Sequence, residues 1–166
     1  MSSYYARHCP FSHERCQHGA SQRMFEKPRY IKNSRVRDDS RSTCRPPVVL
    51  FFSGGKDSFL SLALALKDSH TKVILLSTYD PAMGMNGIQQ VPIFEIENFA
   101  SMNELDLITV PISSNSLPYT DMVHLGLQLV PEGKVDALIF GEIHLEHIRR
   151  WREDEFSARL GYLCRF

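Results

Sequence analysis

The sequence lacks the features that mark membrane proteins and disulfide-stabilised proteins. No apolar run approaches the roughly 18 residues that a membrane-spanning helix needs. The N-terminus has no apolar core of the kind that secretory signals contain. Three of the four cysteines lie within residues 1–45, which leaves Cys164 alone in the remainder. We therefore expect a cytoplasmic protein whose core is not held together by disulfides, without a membrane partner.

The formal net charge of the chain is also zero, but its basic and acidic residues are unevenly distributed. Residues 1–45 contain ten basic and four acidic side chains, and residues 46–166 contain nine basic and fifteen acidic ones. Apolar runs recur regularly only after Pro46 and Pro47. We therefore predict a disordered basic extension over 1–45 and one folded domain over 46–166. Because the extension is rich in Arg and Ser, as transit peptides are, an organelle-targeted protein is the alternative.

Histidine and cysteine cluster near the N-terminus without forming a known metal motif. The spacing of His8, Cys9, His13, Cys16 and His18 fits no common zinc finger, and no second Cys/His pair follows at finger distance. The basic side chains of the extension are not interleaved with aromatic residues, so they do not indicate a nucleic-acid partner. Interaction with another protein through the basic extension is left as an alternative function.

Strands and helices alternate along residues 46–166. Apolar runs predict strands at 48–52, 72–79, 107–110 and 135–140, the start of a fifth at 162–166, and helices at 59–67, 92–103, 119–130 and 145–159. Such alternation predicts an α/β fold with a doubly wound, parallel, Rossmann-like sheet. Loops 53–58, 77–81 and 141–147 should then meet at the carboxyl ends of the strands, where these sheets bind ligands. The first helix is apolar nearly all round, which predicts that it is buried.

A glycine turn between the first strand and the first helix predicts an anion site. Its sequence is Ser53-Gly54-Gly55-Lys56-Asp57-Ser58. The glycines permit a tight turn, and the amides of the turn and of the helix N-terminus attract phosphate. Lys56 adds a positive charge, the two serines add hydroxyl donors, and Asp57 could reach Mg²⁺. The spacing is neither that of a Walker A loop nor that of a Rossmann G-x-G-x-x-G turn. The alternative is an ordinary turn with a solvated lysine.

The string S-G-G-K-D-S resembles the PP-loop of the ATP pyrophosphatases, in the adenine nucleotide alpha hydrolase superfamily, whose fold is of the HUP/PP-loop type. This resemblance implies that ATP is cleaved between its α and β phosphates while the loop holds the pyrophosphate. Lys56 and Asp57 would then be catalytic, and the backbone of Ser77, Thr78 and Tyr79 would lie against the adenine. Residues 53–58 and Gly141 would complete the ATP site.

A second motif follows the fourth predicted strand. Gly141 is followed by Arg149 eight residues later and by Glu153 four residues after that. Together with the loop, this pattern resembles the ATP-binding domain of the diphthine–ammonia ligase family over roughly residues 46–166. Gly141 would allow close backbone approach, Glu142 would act as a catalytic acid or Mg²⁺ ligand, and Arg149 would steady phosphate or a developing charge. We interpret His144 and His147 as surface residues and Trp151 as a packing residue.

The chain departs from the family pattern at three places. Glu142 stands where the most similar subgroup has Asp, and residues 86–91 replace a segment that contains Tyr and His in the ligase branch. Family members continue for several tens of residues beyond the fifth strand, whereas this sequence stops at Phe166. We therefore expect a terminal segment that helps to build the acceptor site to be missing.

The resemblance implies an ATP-dependent amide ligase with ATP and Mg²⁺ as cofactors. An acceptor carboxylate would be adenylated with release of pyrophosphate, and ammonia would then displace AMP. The implied acceptor is a diphthine-bearing elongation factor 2. Two alternatives stay open: a non-catalytic ATP- or AMP-binding module, which the departures favour, and a tRNA-modifying PP-loop enzyme.

Overall fold

Six strands form one mostly parallel sheet in the computed structural model of this protein, which describes residues 26–34, 45–68, 71–131, 134–142 and 145–166. The strands are β1 (Arg29–Ile31), β2 (Val48–Phe51), β3 (Val73–Tyr79), β4 (Asp106–Pro111), β5 (Ala137–Ile139) and β6 (Cys164–Arg165). Their order across the sheet is β1-β4-β3-β2-β5-β6. Only the β1–β4 pair is antiparallel, so the predicted parallel sheet is confirmed for β2 to β6.

Helices connect the parallel strands. They are α1 (Lys56–Ala65), α2 (Ile93–Met102), α3 (Tyr119–Leu127) and α4 (Glu146–Arg152), and α4 continues into a π-helical turn at Glu153–Ala158. Sequence periodicity predicts one continuous helix over 145–159, but the wider π turn interrupts it. This turn places Phe156 fully in the core. None of the helices in the described ranges is long and apolar enough to cross a membrane.

The core lies in two layers, one on each face of the sheet. Leu62 of α1 and Ala100 of α2 pack in one cluster with Leu50 and Leu75. Val123 of α3 and Phe156 of the π turn pack in the other. Alternate residues along each strand point to opposite faces, so strands covered on both faces read as continuous apolar runs. The α/β architecture with helices on both faces is compatible with the predicted Rossmann-like fold.

The prediction that α1 is buried is wrong for most of its length. Within the helix only Ser58 and Leu62 are buried, and the side chains of Leu60 and Leu64 are about half exposed. A helix that lies on one face of a sheet buries only the stripe that faces the strands. The apolar composition of α1 therefore led to too high a prediction of how much of the helix is buried.

A short segment upstream of the predicted domain boundary at residue 46 joins the sheet. Arg29–Ile31 adds an antiparallel strand to β4, so part of the predicted disordered extension belongs to the sheet. Tyr30 and Ile31 pack against the two core clusters. Residues 1–25 and 35–44, including the His and Cys cluster at 8–18, lie outside the described ranges.

A buried carboxylate holds this segment in place. Asp106 is fully buried at the start of β4, and it accepts hydrogen bonds from the Tyr30 hydroxyl at 2.6 Å and from the amides of Asn33 and Ser34 at 2.9 Å. Lys72 Nζ lies 2.6 Å from the same carboxylate. Burial alone would raise the pKa of Asp106, but these donors hold that pKa well below its ordinary value.

Candidate functional site

The loops that follow β2 and β5 meet at the point where the connections of the sheet reverse direction. From β2 the chain proceeds to β3 and β4 on one side, and then returns to β5 on the other side of β2. Open α/β sheets bind ligands at the carboxyl ends of the strands beside such a reversal. The predicted loop 53–58 and the predicted residues 141–142 follow these two strands, so the fold brings them to the same edge.

The turn at residues 53–55 has a backbone that requires glycine. Gly54 has a φ of +77°, in the left-handed region that side chains disfavour. The Gly55 amide donates to Ser53 Oγ at 3.3 Å, and Ser58 Oγ donates to the Gly55 carbonyl at 2.8 Å. The two serine hydroxyls, predicted as phosphate donors, thus form hydrogen bonds that shape the turn.

The N-terminus of α1 lies at the same edge, and the region outside the carboxyl ends of β2 and β5 is called the crevice below. The helix begins at Lys56, and within the described part of the chain no side chain caps its first amides. Uncapped amides and the helix dipole together attract an anion. Lys56 Nζ lies 2.5 Å from Asp57 Oδ1, and these two side chains are 86% and 43% exposed. Because exposed ion pairs contribute little, both groups can exchange this contact for a phosphate or a metal ion.

Gly141 lies directly against the loop. A β-carbon at this position would lie 3.1 Å from the carbonyl carbon and oxygen of Asp57 and from the Ser58 amide nitrogen. All three are backbone atoms, so a larger residue would force the loop or β5 to move. The close approach therefore fixes the position of the start of α1 relative to the end of β5.

Residues 86–91 cover the glycine turn from the other side. A β-carbon on Gly54 would lie 3.2 Å from Val91 Cγ2, and one on Gly55 would lie 3.0 Å from the Gln89 carboxamide. This segment is the one that departs from the sequence of the ligase branch. The departure therefore lies beside the loop itself and is positioned to influence what enters the crevice.

The predicted adenine contacts at the end of β3 are partly engaged within the protein. The Thr78 carbonyl accepts a hydrogen bond from Asn86 Nδ2 at 3.1 Å. Ser77 is buried, and its neighbour in register on β4 is Thr109. Among the residues described, the hydroxyls of Ser77 and Thr109 have no hydrogen-bond partner. The two hydroxyls lie on adjacent strands, in the half of each strand nearer its carboxyl end.

The N-terminal segment also reaches this edge, which the sequence did not indicate. The Tyr79 hydroxyl donates a hydrogen bond to Glu26 Oε2 at 2.9 Å. The pKa of Tyr79 is raised, mainly because the side chain is buried and secondly because of its contact with Glu26. Glu26, Lys27, Arg29, Tyr79 and Pro81 line an open depression there. No motif marks residues 26–29, because their role depends on docking against strands that lie far away in the sequence.

Glu142 is engaged by an arginine that the sequence did not single out. Arg152 Nη2 donates to Glu142 Oε1 at 2.5 Å, and the two side chains are 10% and 22% exposed, respectively. The guanidinium carbon lies 4.4 Å from the Phe140 ring centroid and 5.1 Å from that of Phe51. Burial alone would lower the pKa of Arg152, but Tyr119 and Glu142 together raise it. The structure thus places Glu142 in a largely buried ion pair.

The predicted functional residue Arg149 lies on an exposed part of α4. Within the described part of the chain, Arg149 Nε lies 3.4 Å from Glu153 Oε1. Its guanidinium carbon lies 4.5 Å from the centroid of the Phe166 ring. His147 is exposed, and His144 lies outside the described ranges. Trp151 packs against Tyr119 and Phe156, as predicted for a packing residue.

Comparison with known proteins does not identify a family or a function for this chain, and the described residues show no metal site. No model of a known protein family matches the chain, and no curated protein sequence matches it significantly. Across the described ranges, no three His, Cys, Asp or Glu side chains form a group that could hold a metal ion. The arrangement of the loop residues themselves therefore carries the functional proposal.

Proposed function

We propose that the chain binds ATP at the carboxyl ends of β2 and β5, as a PP-loop protein of the ATP pyrophosphatase superfamily. The observation that carries this proposal is the contact of Gly141 with the backbone of Asp57 and Ser58, beside the uncapped N-terminus of α1. This contact holds the start of α1, with its uncapped amides, against the end of β5. Amides at a helix N-terminus suit a polyphosphate.

The residues of the loop fit a nucleotide with its metal ion. The β and γ phosphates would lie on the amides of residues 55–58, where Lys56 can turn from Asp57 to a phosphate at little cost. Mg²⁺ in nucleotide sites is held by phosphate oxygens and one or two carboxylates. Asp57 is the predicted acid that fits this role, because its present partner is exposed. Glu142 fits it poorly, because a buried guanidinium already occupies one of its oxygens.

The proposed activity is that of an ATP-dependent amide ligase similar to the diphthine–ammonia ligases. An acceptor carboxylate oxygen forms a bond to the α-phosphorus while the bond to the bridging oxygen breaks, which releases pyrophosphate. The ammonia nitrogen then bonds to the acyl carbon, AMP leaves with the electron pair, and the nitrogen releases one proton. Lys56 and the loop amides would stabilise the charge that develops on the phosphates. The proposed acceptor is a diphthine-bearing elongation factor 2.

A non-catalytic ATP- or AMP-binding module is the second candidate. Both acids predicted to be catalytic are paired with bases, Asp57 with Lys56 and Glu142 with Arg152. Pairing of this kind is compatible with nucleotide binding alone. The described part of the chain gives less support to a tRNA-thiolating activity, because burial and then Glu153 raise the pKa of its cysteine, Cys164, which disfavours the reactive thiolate.

Product analysis distinguishes these candidates. We expect AMP and pyrophosphate to accumulate in equal amounts when the protein is supplied with ATP, ammonium and diphthine-bearing elongation factor 2. Chromatography of the nucleotide products and a coupled pyrophosphate assay would measure them, with Lys56→Ala as the inactive control. ADP and inorganic phosphate would contradict cleavage between the α and β phosphates. ATP binding without any pyrophosphate would favour the non-catalytic module.

A further inference from the structure

The Glu142–Arg152 pair leaves polar atoms buried and unpaired. Within the described residues, Glu142 Oε2 and the Nε and Nη1 atoms of Arg152 are buried without a hydrogen-bond partner. Buried polar atoms in folded proteins are nearly always hydrogen-bonded to protein, water or ligand. An ionised carboxylate oxygen can only accept a hydrogen bond, so the missing partner of Oε2 is a donor or a cation.

The pair lies at the edge of the candidate ATP site. Glu142 directly follows Gly141, which contacts the backbone of the 53–58 loop. Arg152 stacks on the rings of Phe51 and Phe140, which lie at the carboxyl ends of β2 and β5. The pair is therefore anchored to both strands that border the crevice. An aromatic surface on one side of the guanidinium limits the access of water to it.

A magnesium ion is a poor partner for Glu142 Oε2. The other oxygen, Oε1, lies 2.5 Å from the Arg152 guanidinium, so a divalent cation on Oε2 would lie close to a buried positive charge. Drawing Glu142 away from Arg152 would leave that charge buried and unpaired, which is strongly unfavourable. Asp57 carries no such constraint, because its Lys56 partner is exposed.

We propose that Arg152 is a positioning residue that fixes Glu142, and that Glu142 Oε2 accepts a hydrogen bond from the nitrogen co-substrate, ammonia or ammonium. This inference rests on the proposed ligase function, which requires such a co-substrate. Oε2 is buried, so its donor must be small, and the nearby Arg152 charge favours a neutral or singly charged donor over a divalent ion. A small N–H donor meets both conditions, whereas the acceptor protein or the nucleotide would have to displace the pair.

A tryptophan beside the pair allows the binding of the co-substrate to be measured directly. Trp151 is the single tryptophan of the chain, and its ring lies 5.9 Å from the Arg152 guanidinium carbon. The protein would first be saturated with MgATP. Ammonium chloride would then replace tetramethylammonium chloride at constant total salt while Trp151 emission is recorded. Tetramethylammonium has the same charge but is larger and has no N–H, so a difference between the salts reports the binding of a small N–H donor.

We expect a saturable change in emission with ammonium, half-complete on the order of 0.1 M, because a ligand of one heavy atom binds weakly. Glu142→Gln should abolish this change. Arg152→Lys keeps the charge but loses the planar fork, and it should weaken ammonium binding about tenfold, as loss of a partner that orients a ligating side chain commonly does. Glu146→Gln and Arg150→Lys are matched controls, because they form an exposed ion pair on α4, and they should respond like the parent.

Three results would overturn the inference in distinguishable ways. If MgATP does not bind the parent, both the proposed function and this inference fail. If MgATP binds but the two salts give the same emission, or Glu142→Gln responds like the parent, only the inference fails, and a buried water is the partner of Oε2. If Glu142→Gln raises the Mg²⁺ concentration needed for ATP binding by about tenfold or more, Glu142 is a metal ligand instead. If Glu142→Gln does not fold, the comparison of the two salts in the parent and the response of Arg152→Lys still test the inference.

Discussion

Replacing Gly141 with alanine is expected to lower the affinity for MgATP by about tenfold. The new β-carbon would lie 3.1 Å from three backbone atoms of Asp57 and Ser58. Backbone cannot turn aside as a flexible side chain can, so β5 and the loop must separate, at a cost of about 1–3 kcal/mol. The separation would displace the amides of the loop from the phosphates they are proposed to bind. Calorimetric titration of MgATP into the two proteins measures the effect.

Gly87→Ala is the matched control for this experiment. Nothing lies within 4 Å of a β-carbon at Gly87, although this glycine belongs to the segment beside the loop. Its affinity should therefore equal that of the parent, and its free energy of unfolding should be unchanged or slightly higher. A Gly141→Ala protein that binds MgATP within about twofold of the parent would show that the close approach is not needed for nucleotide binding.

Replacing Asp106 with asparagine is expected to lower the free energy of unfolding at pH 7 by about 3 kcal/mol. Asparagine is close in size, but it removes the negative charge that faces Lys72 and places donors where Asp106 accepts from Tyr30. The cost falls at the lower end of the range for broken buried pairs, because Lys72 is half exposed and can be hydrated. Urea unfolding followed by circular dichroism measures it. We expect loss of the docking of β1 to accompany the destabilisation.

The effect of Asp106→Asn should depend on pH. The pKa of Asp106 is lower in the folded protein than in the unfolded chain. Its contribution is therefore fully present above the unfolded pKa, near 4, and is lost as the pH falls from there through the lowered folded pKa. The difference in unfolding free energy between parent and variant should be smaller at about pH 3 than at about pH 7. A difference that does not change between these pH values would contradict the assignment.

Glu97→Gln is the control for this variant. Glu97 also pairs with a residue of β1, since its Oε1 lies 3.0 Å from Arg29 Nη2, but both side chains are substantially exposed. Exposed ion pairs contribute about 0–1 kcal/mol, so this substitution should have little effect. A large effect of Glu97→Gln together with a small effect of Asp106→Asn would mean that surface charge, and not the buried carboxylate, holds β1.

Local patterns predicted the centre of the fold and the meeting of the two loops. Val48–Phe51 is a continuous apolar run followed by a glycine turn, and both features are encoded within ten consecutive residues. The contact between Gly141 and that turn follows from topology, because neighbouring parallel strands end at the same edge of a sheet. Neither inference needs knowledge of which side chains touch.

Contacts between distant residues account for what the sequence did not reveal. β1 is three residues long, and its Tyr30 is held by Asp106, which lies 76 positions further along the chain. A segment this short carries no periodicity, and its basic surroundings resemble those of a disordered tail. The burial of α1 was overestimated for a related reason, because it depends on which other elements cover the helix.

The partner of Glu142 was missed because sequence analysis of charges considers mainly i,i+4 spacing. Glu146 and Arg150 have that spacing, and their ion pair is present but exposed. Arg152 is ten positions from Glu142, and their meeting depends on how α4 packs against β5. The π turn that follows α4 is equally invisible to a 3.6-residue period.

Calorimetric titration of MgATP into the parent, Lys56→Ala and Lys67→Ala tests most directly whether the chain has a working PP-loop. Lys67 is an exposed lysine beyond the opposite end of α1, so it controls for the loss of a positive charge. We predict micromolar-range binding by the parent and by Lys67→Ala, and binding weaker by at least about tenfold for Lys56→Ala, because a charge-assisted contact with phosphate is lost. A folded parent that does not bind MgATP, or a Lys56→Ala protein that binds it equally well, would contradict the assignment of residues 53–58 as an ATP site.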